Sequence, residues 1–221
     1  MNIKNLIVLD TETCSLKGGI LELAWAAFPT MEKLLTSTKE NFIETSYQQY
    51  FKNPIPIDPF AFDVHGITEK SVENCPLYDV KTHFYLPILE KLFACDYSET
   101  LLIGHNINTF DIRVAELSKD HPTIDTMKLA EFLIKEKILT HDGGKKLDLL
   151  CSIYCSKDQA HINQFHGAMQ DNWKVILFLQ ALKAKYLPDA GLEEFMVLSD
   201  HTLSPNIRKK YLKQARISLG E

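Results

Sequence analysis

The chain has no apolar run approaching the roughly 20 residues needed to cross a bilayer, and only two tryptophans in 221 residues. Met1-Asn2-Ile3-Lys4-Asn5 leads straight into an apolar stretch, without the charged, apolar and small-residue order of a signal peptide. A cytoplasmic location is therefore expected. Cysteine is sparse, at five residues. An odd number with irregular spacing does not make a disulfide framework. Cys151, Cys155 and His161 could compose part of a zinc site, but a single Cys-x3-Cys has no second matching pair. Two cysteines one turn apart on a buried helix face is the preferred reading. Positive charge is also in short supply, with a formal net charge of −5. That deficit does not exclude a polyanionic partner, because bound cations can offset acids locally. Basic clusters do occur, at Lys145-Lys146 and over Arg208, Lys209, Lys210, Lys213 and Arg216. Each reads equally well as a solvated face.

An apolar fraction of 45% in 221 residues is ordinary for a globular protein. Leu6 to Asp10 reads as a central strand ending at its acid, and Lys17-Gly18-Gly19 as a turn into a second strand, Ile20 to Phe28. Tyr47 to Lys52, Leu101 to Gly104 and Thr123 to Asp125 supply three more strands. Pro54, Pro56 and Pro59 break regular structure between them. Helices are expected over Val80–Ala94, Thr109–Ser118, from Asp125 to about Lys137, Leu147–Tyr154 and Ala168–Tyr186. This order implies an α/β fold, a five-stranded mixed sheet flanked by helices. The expected division is a domain over residues 1–187 and a short helical C-terminal extension over 188–221.

Acids stand at intervals along this framework. Asp10 and Glu12 sit at positions i and i+2, on one face of a strand. Asp111 opens a helix, where the dipole alone would favour an acid. Asp171 lies five residues after His166, about 140° around an ideal helix. A loop before the helix, broken at Gly167, would let His166 swing over a site to which Asp171 is fixed. Each residue taken singly has an ordinary structural reading. Together, four dispersed carboxylates suit hard divalent cations, and a histidine beside them suits water activation. That combination points to hydrolysis of a phosphodiester.

These segments resemble those of the DEDDh 3′–5′ exonucleases, the DnaQ-like branch of the ribonuclease H-like fold. Asp10-Thr11-Glu12-Thr13 is similar to that family's first motif. Gly104-His105-Asn106 through Phe110-Asp111 is similar to the second, and His166 to Asp171 to the third. Val64-His65-Gly66-Ile67-Thr68 and Lys146-Leu147-Asp148-Leu149-Leu150-Cys151 agree with further family segments. The resemblance spans roughly Leu6 to Lys185. It implies two Mg²⁺ ions, with Mn²⁺ able to substitute, held by Asp10, Glu12, Asp111 and Asp171, with Asp10 shared between them. His166 would accept the proton of the attacking water, and the products would be nucleoside 5′-monophosphates. The substrate contacts it implies are Thr11, Thr13, Leu16, His65, Asn106 and Phe110, with Leu16 and Phe110 against bases. Asn106 could instead hold the turn of the second motif by side-chain hydrogen bonds. The expected partner is a nucleic acid 3′ end, single-stranded DNA before RNA, with a polymerase or repair protein as a further partner. An exoribonuclease of the same superfamily and a proofreading subunit are the alternatives. A binding module with a dead site and an aspartyl-nucleophile phosphatase fit the residues less well.

Overall fold

The computed structural model describes residues 3–92, 99–155 and 167–220. His166, His161 and Cys95 lie outside the described residues. Five strands, β1 (Asn5–Ser15), β2 (Gly18–Phe28), β3 (Ser46–Tyr50), β4 (Thr100–Gly104) and β5 (Thr123–Asp125), form one sheet in the order β3-β2-β1-β4-β5. β1 pairs antiparallel with β2 and parallel with β4, so the sheet is mixed with β1 at its centre. This is the expected ribonuclease H-like architecture. Leu16-Lys17 forms the tip of the β1–β2 hairpin, between the paired Ser15 and Gly18. Gly18 and Gly19 take φ of 127° and 85°, a region costly for any residue with a Cβ.

The helices are α1 (Met31–Leu35), α2 (Lys39–Thr45), α3 (Pro59–His65), α4 (Glu69–Val72), α5 (Leu86–Leu92), α6 (Asp111–Val114), α7 (Thr126–Lys135), α8 (Leu147–Tyr154), α9 (Ala168–Lys185), α10 (Leu192–Ser199) and α11 (Pro205–Gln214). The sheet is buried on both faces, which explains its long apolar strands. One face sets Leu6, Val8, Ala26, Leu101 and Ile103 against residues of α7, α8 and α9. The other sets Ile7, Leu9, Trp25 and Leu102 against Phe51, Phe84, Ile88 and Ile112.

Four expectations are corrected. β1 does not end at Asp10 but continues paired to Ser15, so both of its acids lie within a strand. The helix expected over Thr109–Ser118 is only α6, four residues long, and stops before Glu116, whose φ is 54°. The helix expected from Val80 opens as a π-helical turn, Lys81–Tyr85, before α5. Pro59, read as a breaker, instead starts α3, where its missing N–H costs nothing.

The C-terminal helices pack onto the rest of the chain. Phe195, Leu198, Leu212 and Ala215 share a core cluster with the sheet. Arg208 of the basic segment stacks 3.9 Å from the ring centroid of Phe132 and donates to the Leu198 carbonyl. Lys209 pairs with Glu136 at 3.2 Å. Two of that segment's cations therefore hold α11 in place. No described helix is long and apolar enough to cross a membrane.

Candidate active site

The two-residue period of β1 decides where its acids point. Leu6 and Val8 face the α9 side, so Asp10 and Glu12 continue that face. Asp171, in the first turn of α9, meets them there. One carboxylate oxygen from each of Asp10, Glu12 and Asp171 lies within 4.8 Å of the other two. Asp111 is outside that trio but close enough for its charge to act on Asp10. Its Oδ1 accepts a 2.7 Å hydrogen bond from the hydroxyl of Thr11, the residue between the two acids in sequence.

Two polar residues absent from the expected site fasten α9 to the sheet. Asn172 donates from Nδ2 to the Ala24 carbonyl at 2.9 Å, and Ala24 is the β2 partner of Asp10. Glu22, the β2 partner of Glu12, is buried and accepts the backbone N–H groups of Ala168 and Met169. It caps α9 from another element, since Gly167 has no side chain to do so. Gln48 donates to the same carboxylate at 2.6 Å. An acid interrupting the apolar run of β2 was the sequence signal for Glu22.

A third unexpected residue is Lys174. Its Nζ lies 2.7 Å from Asp171 Oδ1 and 2.6 Å from Asp148 Oδ1. Burial opposes its charge, but the two carboxylates outweigh that and hold the ammonium protonated.

Burial and mutual repulsion dominate the electrostatics of the acids. Burial, then Asp111, Asp171, Glu12 and Glu22, raise the Asp10 carboxyl well above its ordinary value. Burial pushes Asp111 up to about 7 even though Thr11 hydrogen-bonds to it. Converging carboxylates that resist ionisation are stabilised by a cation among them, and an all-oxygen donor set suits Mg²⁺ or Mn²⁺.

Beside the acids opens a cavity of about 700 Å³. Thr11, Glu12, Thr13, Leu16, His65 and Phe110 line it, so five of the six expected substrate contacts meet in one place. Leu16 and Phe60 line it too, at 84% and 83% exposure, far more than burial in a core would leave. Arg113 grips the hairpin tip by donating to the carbonyls of Leu16 (2.9 Å) and Lys17 (3.2 Å). His65 has both ring nitrogens engaged. Nδ1 accepts from Ile67 N at 2.9 Å, which leaves the proton on Nε2 to donate to the Thr13 carbonyl at 3.2 Å. Burial lowers its pKa and favours that neutral form. His65 is thus a strut under Thr13 as well as part of the cavity wall.

Asn106 is not among the residues lining the cavity. It takes φ of 71°, and its backbone N–H donates to Asp125 Oδ1 at 3.1 Å, while Asn108 N–H donates to Oδ2 at 3.3 Å. Asp125 therefore holds the turn through backbone donors. Gly104 stands just before it, where a Cβ would come within 2.8 Å of the Leu9 carbonyl. Cys151 is buried and bonds through Sγ to the Lys174 carbonyl, as the packing reading of that cysteine expects.

Residues 7–175 match the model of the RNase_T exonuclease family. The chain belongs to the DnaQ-like exonuclease family. That membership supports a nuclease, a hydrolase acting on nucleic acid. Exodeoxyribonuclease 10 of Escherichia coli strain K12 is 30% identical over 129 residues, 58% of this chain and 48% of that protein. The aligned region thus spans about half the length of that curated relative. Among solved structures, exonuclease X in complex with 5′ overhanging duplex DNA superposes with a TM-score of 0.59 at 21% identity, covering 88% of this chain and 99% of that one. A zinc-bound complex of E. coli exonuclease I with single-stranded DNA gives 0.61 at 14% identity, covering 82% and 41%. At these identities the likeness is one of fold. The family's use of divalent metals agrees with the carboxylate trio on β1 and α9.

Proposed function

We propose that this protein is a divalent-metal-dependent 3′–5′ exonuclease that removes nucleoside 5′-monophosphates from DNA. The observation carrying this reading is the meeting of Asp10, Glu12 and Asp171 within 4.8 Å, beside a cavity of about 700 Å³ with exposed apolar groups on its wall. Asp10, Glu12, Asp111 and Asp171 would hold two ions, Mg²⁺ or Mn²⁺. Bound there, such ions supply Lewis acidity and ease deprotonation of water.

The rest of the chemistry falls to the chain's own residues. His166, five positions before Asp171, takes the proton of the attacking water, a contribution commonly worth ~10²–10⁴ in rate. Thr11 and Thr13 offer polar contacts to the terminal nucleotide. Leu16, Phe60 and Phe110 receive bases by stacking and apolar contact, which tolerates any sequence. The preference for DNA is supported by the name of the relative, an exodeoxyribonuclease, and by the DNA in the structures of similar fold.

The test is incubation with Mg²⁺ and single-stranded DNA, duplex DNA or RNA, each labelled at one end. A 5′-labelled strand should shorten stepwise, while a 3′-labelled strand should release label at once as mononucleotide. Cleavage from the 5′ end or internally contradicts the reading, and RNA shortened faster than DNA moves it to an exoribonuclease. His166→Ala should retain Mn²⁺ binding and lose most turnover; loss of Mn²⁺ binding would contradict a proton-accepting role.

A further inference from the structure

Lys174 is a lysine where helix packing alone would call for an apolar residue. It lies one turn beyond Asp171 on α9, and its side chain is 7% exposed. A buried ammonium offers donors and no acceptor, and persists only where anions face it. Here two do: Asp171 Oδ1 at 2.7 Å and Asp148 Oδ1, from the first turn of α8, at 2.6 Å. One cation is thus shared between a carboxylate of the proposed metal site and a carboxylate outside it.

Resting on the metal-dependent reading above, we infer that Lys174 is a positioning residue and a built-in counter-charge for Asp171. Anchored by Asp148, it fixes the orientation of the Asp171 carboxylate and limits how tightly the acids draw in divalent ions. The two effects oppose each other on substitution. Loss of the anchor lets the carboxylate leave its working orientation, which slows turnover. Loss of the positive charge leaves one more uncompensated acid beside the ions, which tightens metal binding. Charge sets the sign of the binding change, because a unit charge one carboxylate away from a divalent ion outweighs a lost hydrogen bond at any effective dielectric near 20. Asp148→Asn has the opposite sign, since it leaves Lys174 charged with a single partner.

The experiment is calorimetric titration of Mn²⁺ into the nucleic-acid-free full chain, with turnover on single-stranded DNA measured at saturating Mn²⁺. Lys174→Gln should bind Mn²⁺ about 10-fold more tightly or better, while kcat falls by about 10–100-fold. Lys174→Arg should return both toward wild type. Asp148→Asn should weaken Mn²⁺ binding, and this variant carries the test if Lys174→Gln does not fold. Unchanged Mn²⁺ affinity in Lys174→Gln and Asp148→Asn, or weakening in both, overturns the inference. Wild-type protein that binds no Mn²⁺ overturns the metal-dependent reading itself, an outcome distinct from wild-type binding that the two substitutions leave unmoved.

Discussion

Leu6–Leu9 and Asp10–Thr13 are consecutive stretches of one central strand, and they do opposite work. The first is fully packed between two helical layers. The second keeps its pairing to β2, with a register shift after Glu12, lies beyond the residues paired to β4, and is nearly as buried, but puts Asp10 and Glu12 where Leu6 and Val8 would continue. Apolar burial there would stabilise the fold; two acids facing Asp171 weaken it unless something positive intervenes. One strand thus holds the sheet together at one end and carries the unfavourable electrostatics of the proposed site at the other. Stability is spent where function needs it.

The comparison breaks most sharply under substitution of the acids. Asp10→Asn or Asp171→Ala should reduce nuclease turnover by about 10³-fold or more, the scale of losing a principal charge-stabilising group, with the circular dichroism spectrum unchanged. Full turnover in either variant, after controls for contaminating nuclease, would break the assignment of those residues. In the packed half, Leu9→Ala should cost about 2–5 kcal/mol in denaturant unfolding while turnover per folded molecule is kept. A loss of turnover with stability intact would show that the two halves are not separable.

A smaller effect sharpens the point. Asp10→Asn, inactive, should melt higher than wild type in chelator at a pH near 8, by roughly 2–4 °C for each kcal/mol recovered. The reason is that wild-type Asp10 is raised by burial and four acids. Asp111, pushed up to about 7, belongs to the same account. Both groups hold protons when folded over a range in which the unfolded chain has released them. The favourable contribution of Asp111 is complete below about pH 4 and is lost as pH rises through about 7, and that of Asp10 has the same sign. Wild-type protein in chelator should therefore melt lower near pH 8 than near pH 5.5, and Mn²⁺ should remove the difference. A melting temperature that climbs over that interval without metal would contradict the raised values. The smallest effect belongs to the hairpin tip. Leu16→Ala should leave stability within about 0.5 kcal/mol, since Leu16 is 84% exposed, and should raise KM for single-stranded DNA.

Much of this was legible in the chain. The five strands and their turn at Gly18-Gly19 follow from apolar runs and glycine chemistry, and the placement of Asp10 and Glu12 on one face follows from strand geometry. Other features depend on long-range packing. β1 runs past its acids because β2 continues to pair with it, and hydrophobic patterning has no means of extending a strand through Asp-Thr-Glu-Thr. The short helices α1 to α4 are too brief for periodicity to reveal. Thr30, Thr38, Asp58 and Thr68, which cap them, were the available signal. The roles of Glu22, Asn172 and Lys174 are hidden from local sequence for a common reason: each acts through a partner distant in sequence or on another helix. Asn106 carries the same lesson. Its positive φ and its hold on Asp125 are properties of the folded turn, and they leave it outside the cavity wall.

Calorimetric titration of Mn²⁺ into the intact wild-type chain and into Asp10→Asn tests the gathering of distant acids most directly. Saturable binding in the wild type, strongly weakened by the single change from carboxylate to amide, is the predicted result. Equal binding in both, or none in the wild type, would contradict it.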